Sequence, residues 1–444
     1  MNRSIATPIA LTVAGITLLA VGVSSFARPS ALAVSTTQVG SRPAGPPADG
    51  PATDSLSVAI AEAQKRLRTA GTDPVTWAQL GSAYVQQARI TGDPTYYPKA
   101  EGALRRSLAL DPTDNWPAMT GLGALANARH DFAQALVWAR KSAAVNGYDS
   151  AVYGVMDDAL TQLGDYPAAA VAAQKMLDRQ PGIPAFTRAS YHFEERGQVG
   201  PARDALNRAL AEATQRSDVA FCRYYLGELA FNTGDPRAAL REYELGLAVD
   251  AGSDPLLAGR AKAEVALGRR GAALHDYATV IARVPQSQYV LENAELLLSL
   301  GRDAEAADQL ALLNAEQKLL ATNGVVDDLM AATVEADHGS ATAAVRHAEA
   351  EWKRRKSVIV ADALGWALHR AGRDREALGY AVRANRLGWR NAGFRYHLGM
   401  IELSLGRSAD AHRDLTAALK INPYFSVLQA PVARRALTLS GAAK

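Results

Sequence analysis

The sequence has one cysteine and almost no net charge, and each shortage excludes a class of protein. Cys222 alone cannot form an internal disulfide, a CxxC redox pair or a cysteine-rich zinc site. The formal net charge is +3, and Arg3 and Arg28 at the N-terminus supply two of those charges. The rest of the chain is therefore nearly neutral and lacks the concentrated basic region of a nucleic-acid binder. We expect no nucleic-acid partner.

Motifs for catalysis are also lacking. The sequence has no Walker-type phosphate loop, no GxSxG nucleophile elbow and no HExxH metal motif. Asp157–Asp158 and Asp327–Asp328 are adjacent pairs that point about 100° apart on a helix, so we expect solvated acids and no catalytic dyad. The basic run at 353–356 is expected to be a solvated helix end. The sequence predicts no enzyme, no cofactor and no metal.

Long apolar runs are absent beyond residue 27, but the N-terminus has one. Residues 4–27 contain no charge, and Arg3 precedes them, which is typical of an export signal at 1–33 with its apolar segment at about 5–27. Small residues at Ser25-Phe26-Ala27 and Ala31-Leu32-Ala33 suit signal cleavage, whereas ~20 apolar residues also suffice to span a bilayer. A cleaved signal and a membrane tether both remain open, and either one predicts an exported, extracytoplasmic body.

Residues 34–54 are rich in proline, glycine and serine. Such a composition buries too little apolar surface to offset its ordering entropy, so we expect a disordered linker. The apolar spacing of Leu56, Ile60 and Leu67 after it predicts an N-terminal capping helix within 55–73.

Most of the remaining chain is an internal repeat. Eight glycines recur at spacings of 33 to 38 residues, and an alanine follows each by five residues. The glycines are Gly164, Gly197, Gly234, Gly268, Gly301, Gly339, Gly372 and Gly406, and the alanines are Ala169, Ala202, Ala239, Ala273, Ala306, Ala344, Ala377 and Ala411. Ala100 and Ala135 extend the register backward, which gives ten units.

Each unit has the pattern of a helical hairpin. In the first unit Trp77, Leu80 and Tyr84 lie on one helical face, with Gly81 where a partner helix would cross. Pro112 ends the second helix. The recurrent glycine between the helices fits a left-handed C-cap. Extra residues occur near 91–98 and after the fourth and seventh units, and we expect them in loops.

This 34-residue helix-turn-helix pattern resembles the tetratricopeptide repeat family over about four fifths of the chain. The resemblance implies an all-α, right-handed superhelical solenoid of about ten repeats at 74–425, followed by a C-terminal capping helix and tail at 426–444. Some positions depart from the family pattern: Asp157 replaces a small residue, and Glu264, Glu335 and Glu402 replace aromatic residues. Those hairpins are expected to be weaker.

Tetratricopeptide superhelices expose the first helix of each pair on the concave side, so the resemblance implies a binding groove there. Aromatic and arginine side chains on an exposed face are the types that anchor protein contacts. The alternative is that these rings pack between neighbouring hairpins. The candidate partner-binding residues are Phe221, Tyr224, Phe231, Asn232, Trp366, His369, Arg370, Tyr396 and Met400.

The sequence thus predicts a non-catalytic scaffold in the cell envelope that binds a peptide or protein in its groove. Two alternatives remain open. One is an accessory subunit or enzyme of envelope polysaccharide or peptidoglycan metabolism, and the other is a homo-oligomer formed by self-association of the array.

Overall fold

The computed structural model describes the backbone of residues 52–441 and the side chains of residues 56–438. Within that range the secondary structure is α-helical throughout, as the all-α expectation requires. The expected signal or tether at 1–33 and most of the expected linker lie outside the described residues. Helix α1, Ala52–Thr69, begins inside the stretch predicted as linker, which ended at residue 54. None of the helices between residues 52 and 441 is long and apolar enough to cross a membrane.

Ten helical hairpins follow α1, and α22 (Gln429–Gly441) follows the last of them. The first helices of the hairpins are α2 Pro74–Thr91, α4 Trp116–Ala128, α6 Ser150–Leu163, α8 Ile183–Glu195, α10 Arg216–Asn232, α12 Asp254–Ala266, α14 Ser287–Ser299, α16 Asp328–His338, α18 Val358–Arg370 and α20 Ala392–Ser404. The second helices are α3 Tyr96–Leu110, α5 Phe132–Val145, α7 Tyr166–Arg179, α9 Val199–Glu212, α11 Pro236–Val249, α13 Arg270–Arg283, α15 Asp303–Thr322, α17 Ala341–Arg354, α19 Asp374–Ala384 and α21 Ser408–Ile421. The repeats are therefore tetratricopeptide-like hairpins, and the predicted repeat fold is confirmed.

The repeat signature reflects the geometry of each hairpin. The ten alanines of the register are all fully buried where the two helices cross, because only a small side chain fits there. Seven of the eight recurrent glycines have positive φ and end the first helix. Gly339 differs, with φ −135°. Its Cβ would collide with the carboxylate of Glu335, which accepts a 2.7 Å hydrogen bond from the backbone of Ser340.

The extra residues mostly lengthen helices, and only part of them form loops, at 92–95 and 323–327, so the expectation of loops was largely wrong. Helix α2 has 18 residues, α10 has 17 and α15 has 20, whereas most others have 13 or 14. In α2 the added turn buries Gln87 and Ala88. Burial of a continued helical face stabilises the extension more than an irregular loop would.

The hairpins wind into a superhelix whose second turn contacts the first. The loop of each of the first five hairpins meets the link that follows the hairpin five units later. The meeting pairs are Gly92 with Val284, His130 with Asp327, Gly164 with Lys356, Gly197 with Gly388 and Gly234 with Ile421. We call this contact between turns the seam.

Direct hydrogen bonds close the seam. The backbone amide of Val358 donates to the hydroxyl of Tyr166 over 2.8 Å, across 192 residues of sequence. The guanidinium of Arg355 donates to Gln162, across 193 residues. Arg355 is only 3% exposed, so the expectation that residues 353–356 form a solvated helix end was wrong at this position. A charged side chain is buried here because the carboxylate of Glu351 also binds it.

Candidate binding site on the inner face

Charged side chains join consecutive first helices, one repeat apart. Asp157 on α6 lies 2.6 Å from the imidazole of His192 on α8, and Glu228 on α10 accepts two hydrogen bonds from Lys262 on α12. These partners are 35 and 34 residues apart in sequence, which is the length of one repeat. These polar links thus run from one first helix to the next, on the helices that the resemblance assigns to the concave side of the superhelix. We call this surface the inner face.

The acidic pair Asp157–Asp158 is buried and bound to cations. Arg188 donates to both oxygens of Asp158, at 3.0 and 2.7 Å, and lies 3.7 Å from Asp157. Burial raises the pKa of Asp158 to about 6, although the charge of Arg188 opposes the shift. The expectation of solvated acids was wrong here. Asp157, the departure from the family pattern, instead ties α6 to α8.

His192 is held as a cation within the same cluster. Burial lowers the pKa of His192, but its hydrogen bond with Asp157 and the nearby carboxylate of Glu195 outweigh burial and raise the pKa to about 9. The imidazole lies 3.6 Å from Glu195. Because the imidazole lies between two carboxylates, it serves as a cross-link between helices and not as a general base.

Side chains from four first helices, α2, α6, α8 and α10, converge on the inner face around Tyr225. This half-buried ring packs edge-on against Phe221, with ring centroids 4.8 Å apart, and against Tyr224, at 5.1 Å. Burial raises the pKa of Tyr225, and the nearby charges of Arg89 on α2 and Glu228 modulate it. Tyr225 therefore lies among charged groups from distant repeats, and it is partly accessible.

Two further carboxylates lie near Glu228. Glu194 on α8 accepts a 3.2 Å hydrogen bond from Asn232, and burial raises the pKa of Glu194 to about 7. Glu292 on α14 accepts hydrogen bonds from the hydroxyl of Tyr277 at 3.1 Å and from Gln288 at 2.8 Å. Burial also raises the pKa of Glu292. Both acids accept these hydrogen bonds from neutral donors, and the nearby charge of Lys262 opposes the effect of burial on Glu292 only in part.

The structure places the candidate residues of α10 at this centre, although not as free anchors. Phe221 is half-buried, Tyr224 is 8% exposed and Phe231 is 7% exposed. The ammonium of Lys262 lies 4.9 Å from the ring of Phe231, and Asn232 is bound to Glu194. The expectation that Phe231 stands exposed in a groove was wrong, because Phe231 packs against the neighbouring hairpin.

The candidates of α18 and α20 form a second, more deeply buried group. Trp366 is 2% exposed, and its indole donates a 3.0 Å hydrogen bond to Asp337. The Trp366 ring packs on His369 at 4.9 Å and on Tyr396 at 5.7 Å, and Tyr396 is fully buried. The expectation of exposed Trp366 and Tyr396 was wrong, because both rings pack between hairpins.

Arg370 and Met400 complete this second group. The guanidinium of Arg370 donates a 2.9 Å hydrogen bond to the backbone carbonyl of Ala336 on α16. Met400 is half-buried and packs against the same hydrophobic core as Trp366. These contacts hold consecutive hairpins together, and the partner-binding role of all nine candidates stays a prediction.

Sequence reasoning missed Tyr225, Glu194 and Glu292. A search for opposite charges one repeat apart would have found Asp157 with His192 and Glu228 with Lys262, because both pairs follow the repeat length. Glu194, Glu292 and Tyr225 have no such partner in the register, and no sequence signal separates them from surface residues.

The described part of the chain offers no metal site. Within residues 52–441, no group of three or more histidine, cysteine or acidic side chains could hold a metal ion. Cys222 is buried and free, and burial raises the pKa of its thiol to about 12, which makes it a poor nucleophile. The chemistry of the inner face is thus that of hydrogen bonds, charges and aromatic rings.

No protein-family model matches the chain, and no curated protein matches it. Solved structures with a similar helical-repeat arrangement include a tetratricopeptide repeat protein from Parabacteroides merdae, which is 18% identical, with 58% of this chain and 98% of that chain covered and a TM-score of 0.35. The human IFIT1 dimer with PPP-AAAA is 16% identical, with 83% of this chain and 88% of that chain covered and a TM-score of 0.45. Yeast Tom70 is 10% identical, with 88% of this chain and 96% of that chain covered and a TM-score of 0.35.

Proposed function

We propose that the protein is a non-catalytic scaffold whose inner face binds a peptide segment of a partner protein. The observation that carries the proposal is the convergence at Tyr225, where half-buried rings and charged groups from several first helices meet. Phe221 and Tyr225 supply rigid apolar area, and Glu194 and Glu292 supply acceptors for the partner's donors. Aromatic anchors surrounded by polar groups dominate the binding energy of many protein interfaces.

The mechanism is recognition without covalent chemistry. A bound segment would lose water-exposed apolar area against Phe221 and Tyr225, at about 25 cal/mol per Å². Glu194 and Glu292 would accept hydrogen bonds that neutral donors now only partly provide, and charge-assisted bonds of this kind are about twice as strong as neutral ones. The inner face would thus fix both the position and the direction of the segment.

The location of the protein is part of the same proposal. The apolar segment at 5–27 would direct export, and the folded array would act outside the cytoplasm, either tethered or released. Fractionation of cells that produce the full chain, followed by mass measurement of its N-terminus, tests this. Recovery of uncleaved protein in the cytoplasm would contradict it.

Photo-cross-linking tests the inner face directly. The full chain would carry benzoylphenylalanine at Phe221 in one variant and at Tyr148, an 85% exposed residue between α5 and α6, in the control. We expect a specific partner cross-linked from Phe221 and lost when Tyr225 is also changed to Ala, with helicity unchanged. Equal cross-linking from Tyr148 would move the interface to the outer surface and contradict the proposal.

A further inference from the structure

Two acidic residues of α14 share one face, and neither accepts a hydrogen bond from a lysine or arginine of the described residues. Glu292 and Glu295 are three residues apart, so their side chains are neighbours on the helix. Glu292 binds the neutral donors Tyr277 and Gln288, and the nearby Lys262 gives its hydrogen bonds to Glu228. The acids of this region therefore exceed the bases that bind them.

Glu295 is a second and independent sign of a missing partner. It is only 1% exposed, and neither of its carboxylate oxygens receives a hydrogen bond from the described residues. The nearest base, the imidazole of His338, is 3.6 Å away, and burial lowers the pKa of His338, which keeps the ring neutral. Burial, together with the neighbouring charge of Glu292, raises the pKa of Glu295 well above its ordinary value, so without a cation this acid is held neutral by a proton.

The surroundings of this pair suit an organic cation. The ring of Tyr277 donates its hydroxyl to Glu292 and is 2% exposed, and Tyr289, one helical turn before Glu292, is 4% exposed. Carboxylates beside tyrosine rings bind ammonium and guanidinium groups through ion pairs and cation–π contacts. The described residues form no group that could hold a metal ion, which disfavours an inorganic cation.

We propose that the inner face binds an organic ammonium or guanidinium group at Glu292 and Glu295, presented by a lysine or arginine of the bound segment. This inference rests on the proposed function and adds the charge of its ligand. The cation supplies the donors that Glu295 lacks. It also offsets the repulsion between Glu292 and Glu228, which contributes to the raised pKa of Glu292.

The test is binding of labelled probes to the full chain, measured by fluorescence anisotropy. The probes are a decapeptide of alternating lysine and glycine, its glutamate and serine counterparts, and spermine as a competitor. We expect the lysine peptide to bind at least tenfold more tightly than the glutamate peptide, with affinity that falls as salt rises. In a separate titration with labelled spermine, binding of spermine without binding of any peptide would assign the site to free polyamines.

Substitutions of Glu292 and Glu295 test whether these two acids bind the cation. Glu292→Gln and Glu295→Gln should each weaken lysine-peptide binding about tenfold, whereas Glu292→Asp, which keeps the charge, should retain it within a few fold. The matched control is Glu316→Gln, because Glu316 on α15 is also half-buried with a pKa raised to about 7 but hydrogen-bonds Ser287. It should bind like the wild type.

Three results would overturn the inference. Wild-type affinity in both glutamine variants would show that the acids do not hold the cation. Equal binding of all three peptides, lost in Tyr225→Ala, would leave the proposed function standing and remove only its charge preference. Binding of none of the probes would remove both.

Discussion

The side-chain amide of Asn422 donates a 2.8 Å hydrogen bond to the backbone carbonyl of Phe231, which lies 191 residues earlier in the chain. Asn422 is 2% exposed, so this bond is part of a closed contact between the two turns of the superhelix. Because Phe231 is on α10, the helix of Tyr225, the bond connects the seam directly to the inner face. The seam and the proposed binding site therefore share helix α10.

Substitution of Gly234 tests the seam. Gly234 has φ +87°, and a Cβ at this position would lie 2.6 Å from the carbonyl oxygen of Ile421 on the next turn. Gly268 has a similar φ of +79° and no neighbour within 4 Å of such a Cβ, so it is the matched control. Both changes to Ala cost roughly 1–2 kcal/mol of backbone strain. We expect Gly234→Ala to cost about 2 kcal/mol more in urea unfolding.

Small-angle scattering separates an opened superhelix from a merely strained one. Gly234→Ala should increase the radius of gyration, because a backbone carbonyl cannot yield without movement of the whole second turn. Gly268→Ala should leave the radius unchanged. Identical radii and identical stability losses in the two variants would contradict a closed seam in solution.

The buried cluster of Arg188 predicts a strong and rescuable loss of stability. Arg188→Met keeps most of the side-chain volume but leaves Asp158 without its cation, which should cost about 3–5 kcal/mol in chemical unfolding. Adding Asp158→Asn removes one unpaired charge and should restore part of the loss. A double variant no more stable than Arg188→Met would show that the arginine acts through packing and not through charge.

Glu194 predicts how stability depends on pH. Its pKa in the folded protein is about 7, above the ordinary 4.5, so between these values the folded protein keeps a proton that the unfolded chain releases. The free energy of unfolding should therefore fall as pH rises from about 4.5 to 7 and then level off. Glu194→Gln should remove about 2 kcal/mol of that fall, with allowance for partial solvent screening.

Urea unfolding at pH 5 and pH 8 measures this effect. Glu212→Gln, an exposed acid on α9, is the control and should show the same fall as the wild type. Glu402 also has a pKa raised to about 7, so the glutamine variant should keep part of the dependence. A fall in Glu194→Gln as large as in the wild type would contradict the raised pKa.

The repeat fold was predictable because it is encoded locally. Every hairpin has a small residue such as Ala169 at the helix crossing and most have a glycine such as Gly164 at the loop, and both recur at about one repeat length. The seam was not predictable in this way. It joins residues such as Gly164 and Lys356, and their contact depends on the small rotation between successive hairpins summed over five repeats.

The candidate site was only partly predictable for a related reason. The sequence identified the first helices and found Phe221, Tyr224 and Asn232, which lie near Tyr225 or Glu194. The sequence wrongly predicted that Trp366 is exposed. An aromatic residue that lies outside the apolar face of its own helix can still be covered by the next hairpin. Burial of that kind depends on neighbours about 30 residues away, which helical periodicity does not describe.

Trp366 should therefore behave as a core residue when it is substituted. Trp366→Ala removes a ring that is 2% exposed and leaves Asp337 without its indole donor, so we expect a loss of about 3–5 kcal/mol in thermal or urea unfolding. Met400→Ala, at a half-buried position in the same core, should cost less. If Trp366→Ala unfolded with wild-type stability and lost only partner capture, Trp366 would be a binding anchor after all, and the closed packing of α18 against α16 and α20 would not persist in solution.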